Sequence, residues 1–155
     1  MNTRITWLFG VAALVAVTFV VADDKKKDAL EGIKCPVSGK AVKADKTADY
    51  KGGHVYFCCE NCAAAFGKDD SKFITKANAQ LVATHQAKQE KCPLSGGKLN
   101  PETKIQVAGI DVCFCCDKCQ GAVSKAEGDD QLEKVFGEKA FAKAFKVVKA
   151  EKKSE

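Results

Sequence analysis

The chain reads as an α+β protein: two small tandem units, each a β-hairpin followed by a helix, and then a C-terminal amphipathic helix. Three observations lead there. Eight of the nine cysteines fall into two matching sets, Cys35, Cys58, Cys59, Cys62 and Cys92, Cys115, Cys116, Cys119, each member 57 positions from its counterpart. Their surroundings repeat as well: Cys35-Pro36-Val37-Ser38-Gly39 answers Cys92-Pro93-Leu94-Ser95-Gly96, and Phe57 to Cys62 answers Phe114 to Cys119. A fixed offset without gaps means one supersecondary unit made twice. Third, Leu132, Val135, Phe136, Phe141, Ala144, Phe145 and Val148 recur among Lys and Glu at helical spacing near the end of the chain.

Each segment has its own signal. Residues 1–22 have the layout of an export signal: a short positive start, an apolar run from Ile5 to Val21, and small side chains before Asp23. The rival reading is a retained anchor, the run being near the minimum for spanning a bilayer. Residues 23–34 form a charged leader. The first Cys-rich unit covers 35–90. Its Pro36 and Gly39 mark a tight turn. Ala48-Asp49-Tyr50 and Val55-Tyr56-Phe57 read as strands joined around Gly52-Gly53, and Ala63 to Phe66 as helix with Cys58 to Cys62 at its first turn. A second helix is expected over about 72–88, where Phe73, Ile74, Ala77, Leu81 and His85 share a face. The second unit, 91–127, reuses the plan: Ile105 to Val107 and Val112 to Phe114 as strands around Ala108-Gly109, then helix from Cys119. The amphipathic helix takes 128–155. Its rival role is contact with a membrane surface.

Composition narrows the function. Arg4, Trp7 and Met1 are the chain's only Arg, Trp and Met, and all three leave with the signal. Without Arg, bidentate phosphate and base recognition is poorly served, so specific nucleic-acid binding is not expected despite a net charge of +5. The absence of Met removes thioether ligands. Ordinary catalysis lacks its parts: there is no nucleophile–His–acid set and no Gly-rich phosphate loop, so the chain does not read as an enzyme. In an exported protein, thiols become disulfides or are held by metal. Nine is an odd number, so at least one sulfur stays outside internal disulfides. Cys113, whose counterpart is Tyr56, breaks the repeat; it reads as a buried inert thiol or as a bond to another chain.

The spacing of the sulfurs suits metal. Cys58 and Cys62 at a helix's first turn share one face, as do Cys59 and Cys62. Free N–H groups there favour thiolates, the form that binds Zn, Cu(I) and other soft metals. A hairpin returning from the Cys35 turn can bring a third sulfur to the same point. Units this small also rarely stay folded without a staple. Two other chemistries compete: Cys35–Cys62 and Cys92–Cys119 disulfides in an interaction module without metal, or redox-active Cys59-x-x-Cys62 and Cys116-x-x-Cys119 pairs.

The string Tyr50 to Cys62, followed by Phe66 and Asp70-Ser71-Lys72-Phe73, resembles the YHS and TRASH type of heavy-metal-binding domain over about 35–75, and less closely over 92–123. That resemblance implies a treble-clef-like unit. It implies metal ligation by Cys35, Cys58 and Cys62, and by Cys92, Cys115 and Cys119. The chain departs from the family pattern at Ser38 and Ser95, where a second turn Cys is common, and in carrying Cys59 and Cys116. The fourth ligand is then Cys59 or Cys116, His54 in the first unit, or an outside group; an open corner favours exchangeable metal. His54 alone reads as exposed, and His85 as surface or packing. The expected function is an exported, periplasmic or secreted protein that holds soft or borderline transition metal ions of the Zn or Cu class. The metal serves structure, or storage, sensing or delivery. Any protein partner is unnamed by the sequence, and no stable membrane insertion is expected once the signal is removed.

Overall fold

The computed structural model describes residues 30–148. The signal peptide expected at 1–22, most of the charged leader and residues 149–155 of the tail lie outside the described residues. In chain order the elements are β1 (Lys43–Tyr50), β2 (Gly53–Phe57), α1 (Glu60–Lys68), α2 (Ile74–Ala83), β3 (Ala87–Gln89), β4 (Asn100–Val107), β5 (Ile110–Phe114), α3 (Asp117–Ser124), α4 (Gly128–Phe136), α5 (Glu138–Ala144) and β6 (Phe145–Val147). The protein is a mixed α and β structure, with three small two-stranded antiparallel sheets.

The hairpins obey the cysteine offset: β4 and β5 begin and end 57 residues after β1 and β2. Both turns are two-residue loops with positive φ at each central position, Lys51 (50°) and Gly52 (88°) in one, Ala108 (50°) and Gly109 (81°) in the other. That backbone matches the twist of the strands it joins. The turn sits one residue earlier than the sequence suggests, which makes Gly53 the first residue of β2. A Cβ on Gly53 would press to 3.0 Å against Leu81 of α2 and Gln86 just beyond it.

The helix expected over 72–88 is shorter, and its end has a local cause. His85 takes a left-handed φ of 57°. Its N–H bonds Val82 O at 3.0 Å, and the Gln86 N–H bonds Leu81 O at 2.8 Å. This pair of bonds closes a helix and turns the chain away. The next residues become β3, which pairs with β6 in the register Ala87↔Val147, Lys88↔Lys146, Gln89↔Phe145.

The single C-terminal helix expected over 128–155 is corrected to two helices and a strand. Gly137 ends α4 and starts α5 with φ −54° and ψ 154°, an extended residue in mid-pattern. A Cβ there would collide with the main-chain carbonyl and carboxylate of Glu133. Thr75 Oγ1 donates to the same carboxylate, so it is not free to swing away. Gly137→Ala is expected to cost about 1–3 kcal/mol, the range of other overpacked sites; denaturant midpoints measure it. Val148, expected on the buried stripe, lies beyond the helices and is 56% exposed.

One buried cluster draws on the whole described chain. It runs from Cys35, Val55 and Phe57 through Leu81 and Phe114 to Phe136, Phe141 and Phe145. The helix α2 lies at its centre and meets β2, β5, α4 and α5. Asn78 on α2 donates to Phe136 O at 2.8 Å. Part of the expected leader also belongs to the fold: Leu30 is buried, and Lys34 bridges to Ala41. Among the described residues no helix is long and apolar enough to cross a membrane.

Three glutamine side chains close the hairpins' outer edges, which would otherwise present unpaired backbone groups. Gln80 accepts from Tyr56 N at 2.6 Å and donates to Tyr56 O at 2.9 Å. Gln86 does the same for His54, at 2.7 Å both ways. Gln89 clasps Cys113, accepting from its N–H at 2.9 Å and donating to its carbonyl at 2.7 Å. Tyr56 and Cys113 are counterparts in the 57-residue repeat, yet the glutamines serving them are not.

Candidate metal centres

Each centre is assembled from a turn and a helix start. In the turn, Cys35 N–H bonds Lys40 O and Gly39 N–H bonds Cys35 O, both at 2.8 Å, with Gly39 at φ 71°. The counterpart bonds run from Cys92 to Gly97 O at 2.9 Å and from Gly96 to Cys92 O at 2.8 Å. These bonds fold the turn around its first sulfur, so Cys35 and Cys92 are 1% and 0% exposed. β2 then delivers Cys58 next to it. Cys59 is the N-cap of α1, and Cys116 the N-cap of α3. Cys62 and Cys119 follow within the first turn of their helices.

The sulfurs converge. Cys35, Cys58 and Cys62 lie within 4.8 Å of one another, and so do Cys92, Cys115 and Cys119. Cys58 is 3.6 Å from Cys62, and Cys115 is 3.7 Å from Cys119. A tetrahedral ion with metal–sulfur bonds of about 2.3 Å has a sulfur–sulfur edge of about 3.8 Å. A disulfide needs about 2.05 Å, and all nine cysteines are free. The donor set and its spacing therefore fit a soft or borderline metal ion.

Cys59 also belongs to the neighbourhood, 3.7 Å from Cys58 and 3.6 Å from Cys62. Cys116 is 3.6 Å from Cys115. Two serines point at the sulfurs: Ser38 Oγ is 3.1 Å from Cys58 Sγ, and Ser95 Oγ is 3.1 Å from Cys115 Sγ. His54 stands apart, its Nδ1 2.8 Å from the Asp49 carboxylate on the neighbouring strand. His85 is exposed at the end of α2, and Cys113 is half-buried in β5, held by Gln89.

The surroundings set an uneven proton distribution. Burial alone would raise the Cys35 thiol; the Ser38 hydroxyl and the N–H groups of Ser38, Cys58 and Val37 outweigh it and bring Cys35 down to about 7. For Cys92, burial is likewise outweighed by the Ser95 hydroxyl and the N–H groups of Ser95, Cys115 and Leu94, giving about 6. Cys62 moves the other way, pushed up to about 12 by burial and then by the thiols of Cys59, Cys58 and Cys35. Cys119 reaches about 12 through burial and then Cys115, Cys116 and Cys92. The Cys59 side chain makes no cap hydrogen bond, yet the nearby Cys62 N–H, then the Cys62 and Cys58 thiols, lower its pKa. The crowding thus holds the protons on Cys62 and Cys119, which a cation can replace.

The two centres differ in cover. The back of the Cys35 turn lines an open groove of about 610 Å³, with Lys76 and Ala83 of α2 and Ile110 of β5 on its other walls. The Cys92 turn lies under α5: Lys143 Nζ donates to Leu94 O at 2.9 Å, and Glu90 and Lys91 N–H bond Ala144 O at 2.8 and 3.1 Å. Turn, hairpin and helix start were legible from the Cys and Gly pattern. The clasping glutamines and the α5 cover were not, because a Gln carries no periodic signal and the cover depends on where the tail folds back. No family model, curated protein or solved structure matches the chain.

Proposed function

We propose that the protein binds soft or borderline transition metal ions of the Zn or Cu class, in one centre formed by Cys35, Cys58 and Cys62 and another formed by Cys92, Cys115 and Cys119. The single observation that carries this reading is the convergence of three sulfurs from a turn and a helix start, twice. In this reading the hairpin–helix segments are two tandem treble-clef-like units of the YHS/TRASH kind, supported by the Tyr50 to Cys62 string and by the hairpins' shared 57-residue offset. The role is binding rather than catalysis. The apolar run of residues 5–21 supports export to a periplasmic or secreted address.

The three thiolates leave a coordination corner open at each ion, next to Ser38 or Ser95. Hydroxyls are weak ligands for soft metals, and both serines are placed to donate to sulfur instead. An open corner suits an ion that is passed on. The shared core supports the same role, since a protein with its own apolar core has less need of metal to stay folded.

Native mass spectrometry and elemental analysis of the full chain test the reading. Bound metal with free thiols is expected; a mass lower by two hydrogens per bridge, with no metal, would count for the disulfide scaffold. Metal addition near neutral pH should also release protons from Cys62 and Cys119, whose thiols are pushed up to about 12. Affinity should therefore fall as the pH is lowered through the Cys35 and Cys92 values of about 7 and about 6. Binding that is independent of pH across that interval would contradict thiolate ligation.

A further inference from the structure

Cys59 completes a sulfur triangle of its own beside the one that Cys35 completes. Here Cys58, Cys59 and Cys62 form one nearly equilateral triangle, with sides of 3.7, 3.6 and 3.6 Å. Cys35 forms a second triangle on the same Cys58–Cys62 edge, with all its sulfurs within 4.8 Å. The two triangles share the Cys58–Cys62 edge, with Cys35 completing one and Cys59 completing the other. The second centre repeats the beginning of this pattern: Cys116 is 3.6 Å from Cys115, which is 3.7 Å from Cys119.

We infer that each centre accepts two monovalent soft ions, of which Cu(I) is the fitting class, with Cys58 and Cys62 (Cys115 and Cys119) bridging between an inner ion completed by Cys35 (Cys92) and an outer ion completed by Cys59 (Cys116). Thiolate sulfur has lone pairs enough to bridge two ions, and Cu(I) accepts three sulfurs in a plane. Four thiolates with two monovalent ions carry a net charge of −2, which the amide N–H groups at the start of the helix are placed to offset. The inner ion is enclosed, since Cys35 and Cys92 are buried. The outer ion faces solvent, since Cys116 is exposed and Cys59 half-exposed. The outer position is the one from which an ion is handed over. A divalent Zn ion fits this arrangement less well, because it takes four ligands in a tetrahedron and each triangle offers three.

The inference rests on the proposed metal binding, and one experiment separates the two. The full chain is titrated anaerobically with Cu(I) and read by native mass spectrometry, alongside Cys59→Ser/Cys116→Ser and a Cys113→Ser control. Four ions per wild-type chain are expected, falling to two in the double variant and staying at four in the control. Wild-type protein should also show the orange emission of clustered Cu(I) thiolates, a readout that needs no variant. Saturation at two ions in wild type, with weaker binding in the double variant, would make Cys59 and Cys116 fourth ligands of single ions and overturn the inference while leaving the proposed function standing. Four ions in the double variant would also overturn it, because the extra ions would then lie elsewhere. No bound copper in any form would overturn the inference, and the proposed function falls with it only if the same protein also takes up no Zn.

Discussion

Cys92→Ser is expected to lower the unfolding free energy of the metal-loaded protein by about 3 kcal/mol, and the melting temperature by ~10 °C. An ion present at a hundred to a thousand times its dissociation constant contributes about 2.7–4.1 kcal/mol to stability, and this variant loses that contribution at its centre. His85→Ala, at an exposed helix end, should change stability by less than about 0.5 kcal/mol. Cys92 is the stronger choice over Cys35 because its turn is bound beneath α5 through Leu94, Glu90 and Lys91, whereas the Cys35 turn borders an open groove. Loosening the Cys92 turn therefore also disturbs the packed tail. Repeating the comparison in chelator separates the contributions: most of the deficit should vanish when wild type is stripped too. Equal melting shifts for Cys92→Ser and His85→Ala, or a deficit unchanged by chelator, would refute the site assignment.

Phe136→Ala should destabilise the protein by about 3–5 kcal/mol, the cost of deleting a large buried ring. Phe136 is fully buried on α4 and packs 5.6 Å from Phe145, centroid to centroid. Its carbonyl accepts the Asn78 side chain of α2. The more informative result concerns cooperativity. Because Cys35, Phe57, Phe114 and Phe136 belong to one cluster, the variant should melt in one transition, with both metal centres losing affinity together. Two separate transitions, one for each hairpin–helix segment, would mean that the segments fold alone and that the common core contributes little.

Much of each centre was legible before any coordinates. A sulfur reads unambiguously in a sequence, and Pro36, Gly39 and Gly96 mark turns because few residues accept their backbone. The hairpins followed from alternation and from Gly52 and Gly109. The helix lengths were less legible. Phe73 to His85 keep helical spacing past the point where α2 stops, because spacing does not register a left-handed residue such as His85. The tail misled in the same way: its apolar stripe continues across Gly137, whose extended backbone separates α4 from α5.

The covalent pattern alone determined which atoms are available for ligation and the spacing at which they return, since both are properties of local chain geometry that any fold must respect. Only the tertiary structure decided that the two segments share a single interior, that glutamines from the connecting region close the strand edges, and that one turn is covered while the other borders a groove. These outcomes depend on contacts between residues far apart in the chain. Each contact is weak alone and becomes favourable only once the whole interior has closed, so no window of sequence carries it.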